Sequence, residues 1–146
     1  MSTKESRELI RRQVAEFAEV GGDVAKIRSW CDRCYGPGLV CHEPDRDFTR
    51  EQLIDDWASW VRAVPDMRMA VNDMVAEGDK VVVAFTLSGT QSGELMGAPA
   101  TGKKIVGKTL MIFKIGRGKI VEIWEYPDML GLLTQLGAVP SATPKK

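Results

Sequence analysis

One carboxylate, Glu125, is predicted to lie on an otherwise apolar face of a β-sheet near the end of the chain. Residues 105–115 and 119–126 flank the turn Gly116-Arg117-Gly118 and form a predicted hairpin. A carboxylate on an apolar face is costly to ionise, which raises its pKa and suits it to proton transfer. The alternative is that Glu125 lies at a strand end and points into water. A three-residue loop would pair Ile115 with Lys119, Phe113 with Val121, Met111 with Ile123 and Thr109 with Glu125.

Composition indicates one domain, residues 1–146, and excludes several classes of protein. The chain has 146 residues and no net charge, with 20 Lys+Arg and 20 Asp+Glu, which argues against a nucleic acid partner. The N-terminal residues have no apolar h-region, and no apolar run approaches the ~20 residues that a membrane span needs. Three cysteines favour a reducing compartment. We therefore expect a soluble, cytoplasmic protein with an ordered core over about 5–137, a flexible tail over 140–146, and no membrane partner.

Known catalytic motifs are missing, which narrows the chemistry. His42 is the only histidine, so triads and multi-histidine metal sites must use it or be absent. Neither Gly-x-Ser-x-Gly, a phosphate-binding glycine loop nor Gly-x-Gly-x-x-Gly occurs. Cys31, Cys34, Cys41 and His42 have the ligand types of a zinc site, but the first two extend a helical apolar stripe and the last two alternate across a strand. We expect no metal and no cofactor.

The order of predicted elements is helices first and strands afterwards. A capping box, in which Thr49 precedes Gln52 by three residues, predicts the start of the third helix, and Asp128 precedes the last helix as an N-cap would. Spacing of apolar residues supplies the remaining elements. The predicted helices cover about 3–20, 24–34, 50–64 and 129–136, and the predicted strands 39–42, 67–76, 80–90, 105–115 and 119–126.

This order predicts an α+β domain in which helices pack against one face of a curved, mainly antiparallel sheet. The glycine-rich connection 91–103 is expected to act as a lid. Alternation places Trp124, Ile120 and Tyr126 on the face opposite Glu125. An outer face this apolar predicts a homodimer formed through the back of the sheet.

Several strings, in this order and spacing, resemble the SnoaL-like polyketide cyclase family. The resemblance covers roughly residues 5–137 and implies the cone-shaped α+β barrel shared with nuclear transport factor 2 and ketosteroid isomerase. The strings are Val64-Pro65-Asp66-Met67-Arg68, Val75-Ala76-Glu77-Gly78-Asp79-Lys80-Val81, Leu87-Ser88-Gly89-Thr90, Gly93-Glu94-Leu95-Met96-Gly97, Pro99-Ala100-Thr101-Gly102-Lys103, Gly118-Lys119-Ile120-Val121-Glu122-Ile123-Trp124-Glu125 and Asp128-Met129-Leu130-Gly131-Leu132-Leu133.

The resemblance also implies a mechanism, which transfers only in part. In cyclases of this family an acidic residue, two places after a histidine on the last strand, acts as the general acid/base. A Gln-x-His pair on the neighbouring strand helps hold the substrate. The reaction is an intramolecular aldol condensation that needs no cofactor. Here the acid is Glu125, the histidine position holds Ile123, and the pair reads Thr109-x-Met111. His42 stands where many members have a cavity histidine; the alternative is that it holds the following loop.

The predicted site therefore has two catalytic residues and a mostly apolar lining. An enzyme would use Glu125 to remove a proton next to a carbonyl of a small, flat, apolar, polyketide-like substrate, either in aldol cyclisation or in isomerisation of the ketosteroid type. The other hypothesis is a small-molecule-binding protein without turnover. The predicted catalytic residues are Glu125 and His42, and the predicted substrate-binding residues are Thr109, Met111, Ile123, Phe113, Trp57, Trp60 and Tyr35.

Overall fold

The computed structural model describes residues 2–139, so the tail predicted over 140–146 lies outside the described residues. Four helices and six strands are present in this part of the chain. In chain order they are α1 (Thr3–Phe17), α2 (Val24–Cys34), β1 (Tyr35–His42), β2 (Asp47–Thr49), α3 (Arg50–Ala63), β3 (Arg68–Glu77), β4 (Lys80–Thr90), β5 (Lys104–Gly116), β6 (Lys119–Pro127) and α4 (Met129–Gln135).

Side-chain caps set the helix starts that the sequence predicts. Asp23 accepts hydrogen bonds from the first backbone N–H groups of α2. At α3, the backbone N–H of Gln52 donates to the Thr49 hydroxyl and the Thr49 N–H donates to the Gln52 side chain, which completes the capping box. Asp128 accepts from the backbone N–H of Gly131 at 2.9 Å. The N-cap role predicted for Asp128 is therefore confirmed.

One six-stranded sheet carries the fold, in the order β2-β1-β6-β5-β4-β3. Strands β3 to β6 pair antiparallel in sequence order, whereas β1 runs parallel to β6. The predicted α+β class and mainly antiparallel sheet are confirmed. The short strand β2 was missed, and β1 begins at Tyr35, which pairs with Ile120 of β6, rather than at the predicted residue 39. Gly36 fits closely against β6 there, since a Cβ on it would lie 3.3 Å from Val121 Cγ1.

The hairpin formed by β5 and β6 has a different register from the predicted one. Its turn contains two residues, Arg117 and Gly118, with φ values of 54° and 74°, and this geometry is typical of a type I′ turn. Met111 consequently lies opposite Glu125, and Thr109 lies opposite Pro127. The predicted loop was therefore one residue too long, and the predicted partner was wrong by one position at Ile115 and by two positions at Phe113, Met111 and Thr109.

A bulge at Val121 reverses which residues of β6 face inward on its two sides. Val121 has no partner between the pairs Lys114–Glu122 and Ile115–Ile120. Beyond the bulge, Glu125 keeps the predicted face of the sheet. Before it, Ile120 turns into the core and is only 3% exposed, so the prediction that Ile120 lies on the outer face was wrong.

Aromatic rings from the helices form the centre of the core above the sheet. Phe17, Trp30 and Trp57 have ring centroids 5.3–5.7 Å apart, and Tyr35 packs 6.1 Å from Trp30. The Trp57 Nε1–H donates to the Tyr35 hydroxyl at 2.9 Å. These contacts hold Trp57 in one orientation where α3 crosses the sheet, and so they set the position of a cavity wall.

Gly89 of β4 packs too closely for any side chain. A Cβ there would collide with the Val64 side chain and lie 2.9 Å from Asp66 Oδ1. We expect Gly89→Ala to lower the free energy of unfolding by about 1–3 kcal/mol, because overpacking displaces its neighbours. Urea unfolding is the measurement. Gly107→Ala on the adjacent strand is the control, since its Cβ meets nothing nearer than the Leu87 carbonyl oxygen at 3.8 Å. Equal losses in the two variants would contradict this account.

Candidate functional site

A cleft of about 100 Å³ opens between α3, the strands β5 and β6, and the start of α4. Apolar side chains form much of its wall, among them Trp57, Trp60 and Met111. Met96, from the loop between β4 and β5, also lines the cleft. The charged and hydroxyl side chains that concern the chemistry are Glu43, Arg46, Asp56, Thr109, Glu125 and Asp128.

Glu125 lies on β6 in the wall of this cleft, and burial raises its pKa from 4.5 to about 7. Removal from water is the largest cause, followed by the negative charges of Glu43 and Asp56. The Thr109 hydroxyl and the Cys41 thiol oppose this rise. The Cys41 thiol donates to Glu125 Oε2 over 3.9 Å. Near pH 7 both forms of the carboxyl group are populated, so the group can accept a proton and return it.

Thr109 brings a hydroxyl without a hydrogen-bond partner to the same wall. Its side chain is 8% exposed, and its Oγ1 makes no hydrogen bond within residues 2–139. Thr109 is the diagonal neighbour of Glu125 across the strand pair, close enough to lower the pKa of Glu125 but not aligned for a hydrogen bond. An unsatisfied buried hydroxyl costs about 1–3 kcal/mol, and a ligand oxygen at this position would remove that cost.

Two further acids surround Glu125 that the sequence prediction missed. Burial raises the pKa of both Glu43 and Asp56, and the positive charge of Arg46 lowers both. The spacing of residues in the sequence could have indicated both acids. Glu43 is two residues after Cys41, and Asp56 is four residues before Trp60, which places each pair on one face of its element.

His42 lies on the outer face of the sheet, so its predicted position in the cavity was wrong. Its Nδ1 is 2.9 Å from Asp47 Oδ1 and its Nε2 is 2.7 Å from Glu122 Oε2, and these carboxylates raise its pKa. Its ring stacks on Trp124 with centroids 5.5 Å apart. Adjacent residues on a strand point to opposite faces, so Cys41 reaches Glu125 while His42 ties β1 to β2 and β6. The alternative role, holding the following loop, agrees with these contacts.

The other predicted site residues divide into three groups. Four of them, Trp57, Trp60, Thr109 and Met111, line the cleft. Two more, Tyr35 and Phe113, line a second cavity of about 30 Å³. Ile123 is 2% exposed within the core and lines neither cavity. Its predicted contact with substrate was therefore wrong, because its side chain is packed among the other residues of the core.

The connection 91–103, predicted to act as a lid, is anchored at its base. The Gln91 side chain is fully buried, donates to the carbonyl oxygens of Ala98 and Pro99, and accepts from the Thr101 hydroxyl at 2.7 Å. Beyond this anchor a tight turn presents Met96 to the cleft. Movement of the loop remains a prediction.

The cysteines are core residues in this structure. Cys31, Cys34 and Cys41 are free and buried. Within residues 2–139, no three His, Cys, Asp or Glu side chains are grouped so that they could hold a metal ion. No helix in this described part is long and apolar enough to cross a membrane.

Comparison with known proteins adds relatives that share both sequence and shape. The family model for SnoaL-like polyketide cyclase matches residues 8–136. Aklanonic acid methyl ester cyclase DnrD of Streptomyces peucetius is 38% identical over 141 residues, which are 94% of each chain. Nogalonic acid methyl ester cyclase of Streptomyces nogalater is 32% identical over 80 residues, 53% of this chain and 60% of that one.

Two solved structures show the same architecture. AclR from Streptomyces galilaeus, a candidate hydroxylase, is 25% identical with a TM-score of 0.84, covering 95% of this chain and 100% of its own. TsrD from Streptomyces laurentii is 30% identical with a TM-score of 0.74, covering 91% of this chain and 98% of its own. These matches confirm the resemblance and the cone-shaped α+β fold.

The raised pKa of Glu125 predicts a pH-dependent effect of Glu125→Gln on stability. Between about pH 4.5 and 7 the folded protein holds a proton that the unfolded chain has lost, so the contribution of Glu125 to stability falls as pH rises through this window. The amide cannot ionise. We expect the stability of the variant relative to wild type to be greater at pH 8 than at pH 4 by roughly 3 kcal/mol, measured by urea unfolding.

The control for this measurement is Glu94→Gln, whose side chain is exposed on the loop. Its stability relative to wild type should be the same at both pH values. A Glu125→Gln difference that does not change with pH would show that Glu125 ionises as an ordinary solvated glutamate.

Proposed function

Because this chain belongs to the SnoaL-like polyketide cyclase family, we propose that it catalyses the intramolecular aldol cyclisation of a small polyketide-like carbonyl compound without a cofactor. The observation that carries the proposal is the buried carboxyl group of Glu125, whose pKa of about 7 suits it to accept and return a proton. A cytoplasmic location, which the three free cysteines favour, is part of the proposal.

In the proposed reaction the Glu125 carboxylate removes a proton from the carbon next to a carbonyl group, and the C–H electron pair forms an enolate. The enolate carbon attacks a second carbonyl carbon of the same molecule, which forms a C–C bond and converts that carbonyl to an alkoxide. Protonated Glu125 then returns the proton to the alkoxide oxygen. The product is an isomer of the substrate, so the reaction consumes no oxidant or reductant.

Neighbouring side chains have defined parts in this proposal. The unpartnered Thr109 hydroxyl donates a hydrogen bond to the enolate oxygen as charge develops there. The rings of Trp57 and Trp60 offer flat apolar surface to a planar substrate. Glu43 and Asp56 keep the pKa of Glu125 high by their charges. His42 is left out of the mechanism, since it lies on the outer face.

The second candidate function is binding of a small molecule without turnover. The observation that favours it is the pair Ile123 and Met111 at the positions where cyclases of the family carry histidine.

An isomerisation of the ketosteroid type shares the first proton abstraction with the proposed cyclisation and differs in where the proton returns. Product analysis separates these reactions, because cyclisation forms a ring and isomerisation moves a double bond.

We expect the protein to convert aklanonic acid methyl ester, the compound in the name of the relative DnrD, to a cyclised product of equal mass. Liquid chromatography with mass spectrometry detects this product. Glu125→Gln should lower kcat by about 10²–10⁴-fold, since the general base is lost. For wild type, kcat/KM should rise with pH and level off above the pKa of about 7, because the ionised carboxylate is the base.

Glu122→Gln is the matched control, since this glutamate lies on the same strand but faces outward to His42. It should keep wild-type turnover. Full activity in Glu125→Gln would remove Glu125 from the mechanism, and tight binding of the ester by wild type without any product would favour the second candidate.

The outer sheet face supports a further part of the proposal, a homodimer formed through that face. Val75, Leu110 and Tyr126 are 61%, 42% and 52% exposed there. Trp124 contributes less exposed apolar surface to this face than its position in the sequence predicts, because the His42 ring stacks on it and Lys80 Nζ lies 5.4 Å from its ring centroid.

Sedimentation equilibrium should give a dimer for the wild-type protein and a monomer for Leu110→Asp, because a buried unpaired charge disrupts the interface. The control is Leu130→Asp on α4, which is 61% exposed away from this face and should leave the dimer intact. A wild-type monomer, or equal dissociation in both variants, would contradict the predicted interface.

A further inference from the structure

A second cavity lies beside the cleft, and apart from the side chains that the two spaces share, its wall has no part in the reaction proposed above. We call it the inner chamber; it has a volume of about 30 Å³ and lies between α1, α2 and the inner face of the sheet. It shares the residues Trp57, Leu87, Thr109 and Met111 with the cleft. Its own wall includes Val14, Tyr35, Met69, Phe85, Phe113 and Ile120.

The chamber wall is mostly hydrocarbon, and its two indole N–H groups are engaged in hydrogen bonds within the protein. The Trp57 Nε1–H donates to the Tyr35 hydroxyl at 2.9 Å, and the Trp30 Nε1–H donates to the Gln13 carbonyl oxygen at 2.9 Å. The Gln13 side chain adds an amide to the wall. Neither indole N–H is free for a ligand, so an apolar group fits this space better than a polar one.

Thr109 stands at the junction of the two cavities. Its hydroxyl is buried, has no hydrogen-bond partner within residues 2–139, and belongs to a side chain that lines both spaces. Met111, the adjacent inward-facing residue of β5, also lines both and lies opposite Glu125. A ligand that spans the junction therefore passes the flexible, unbranched side chain of Met111 and the unsatisfied hydroxyl of Thr109.

We propose that the inner chamber is a subsite for a short, unbranched alkyl chain attached to a carbonyl group of the substrate, with that carbonyl oxygen at the Thr109 hydroxyl. The inference rests on the proposed function only for which part of the ligand faces Glu125. The chamber selects substrates by the length of this chain.

The size of the chamber sets the chain length. A water-sized group needs about 10–15 Å³ measured in this way. A chamber of about 30 Å³ therefore holds roughly two to three carbon atoms. Phe85 and Phe113 meet edge to face with centroids 6.1 Å apart, and a wall packed in this way has little room to move for a longer chain.

The test measures binding of a series of n-alkyl phenyl ketones, from acetophenone to hexanophenone, by quenching of tryptophan fluorescence. Glu125→Gln protein is used beside wild type, so that no turnover contributes. Affinity should rise about three- to fourfold for each added carbon up to an alkyl chain of two to three carbons. It should then stop rising or fall. A steady rise through hexanophenone, or affinity independent of chain length, would overturn the inference.

A matched pair of variants tests the location. Phe113→Leu enlarges the chamber, so the optimum should move to a chain one or two carbons longer. Ile123→Val removes a methyl group from the residue that pairs with Phe113 but lines neither cavity, and should leave the optimum unchanged. An unchanged optimum in a folded Phe113→Leu protein would place the chain elsewhere. If that variant fails to fold, the wild-type series still decides.

Two outcomes separate this inference from the proposed function. A chain-length optimum in binding, without any cyclised product from wild type, supports the chamber and contradicts the cyclase. Cyclisation without a chain-length optimum supports the cyclase and contradicts the chamber.

Thr109→Val should weaken the binding of every ketone by about five- to tenfold while leaving the binding of n-propylbenzene unchanged, because only the ketone has an oxygen for the hydroxyl. Equal losses for both ligands would contradict the assigned carbonyl position.

Discussion

The free-energy cost of keeping the Glu125 carboxylate away from water is the constraint on which the candidate site depends. Burial alone raises the pKa of this group, and the charges of Glu43 and Asp56 add to the effect. The protein offers little compensation, a weak thiol contact from Cys41 and an unaligned hydroxyl at Thr109. Strong donors here would stabilise the anion and hold its pKa low, so the sparse hydrogen bonding is what keeps the group able to exchange a proton near pH 7.

Alternation along β1 decides which polar groups reach this carboxylate. Cys41 points inward and His42 outward, where the imidazole bridges Asp47 and Glu122. A histidine that binds two carboxylates on the outer face joins β2, β1 and β6 and cannot also serve the cavity. Since Ile123 lies in the core, the cleft has no imidazole within the described residues, and the proposed proton transfer there relies on carboxyl groups.

The helices determine the shape of the space in front of Glu125. The contacts of Trp57 with Phe17, Trp30 and Tyr35 hold its ring where it forms a wall of both the cleft and the inner chamber. The buried amide of Gln91 does the same for the loop that presents Met96. Both sets of contacts fix the elements beside the flexible methionines Met111 and Met96, so the wall of the cleft is most adaptable at these two side chains.

Local chemistry in the sequence was sufficient to predict the four helices, the long strands β3 to β6 and the face of the sheet on which Glu125 lies, but not β2 or the start of β1. Caps such as Thr49 with Gln52 involve residues three apart, and the alternation that buries Val81, Val83 and Phe85 is a property of a single strand. Pairing between strands was decided only by the tertiary structure. The two-residue turn, the bulge at Val121 and the parallel pairing of β1 with β6 depend on contacts distant in sequence. Those contacts turned His42 outward and brought Glu43 and Asp56 towards Glu125, because long-range charge and burial depend on which elements meet.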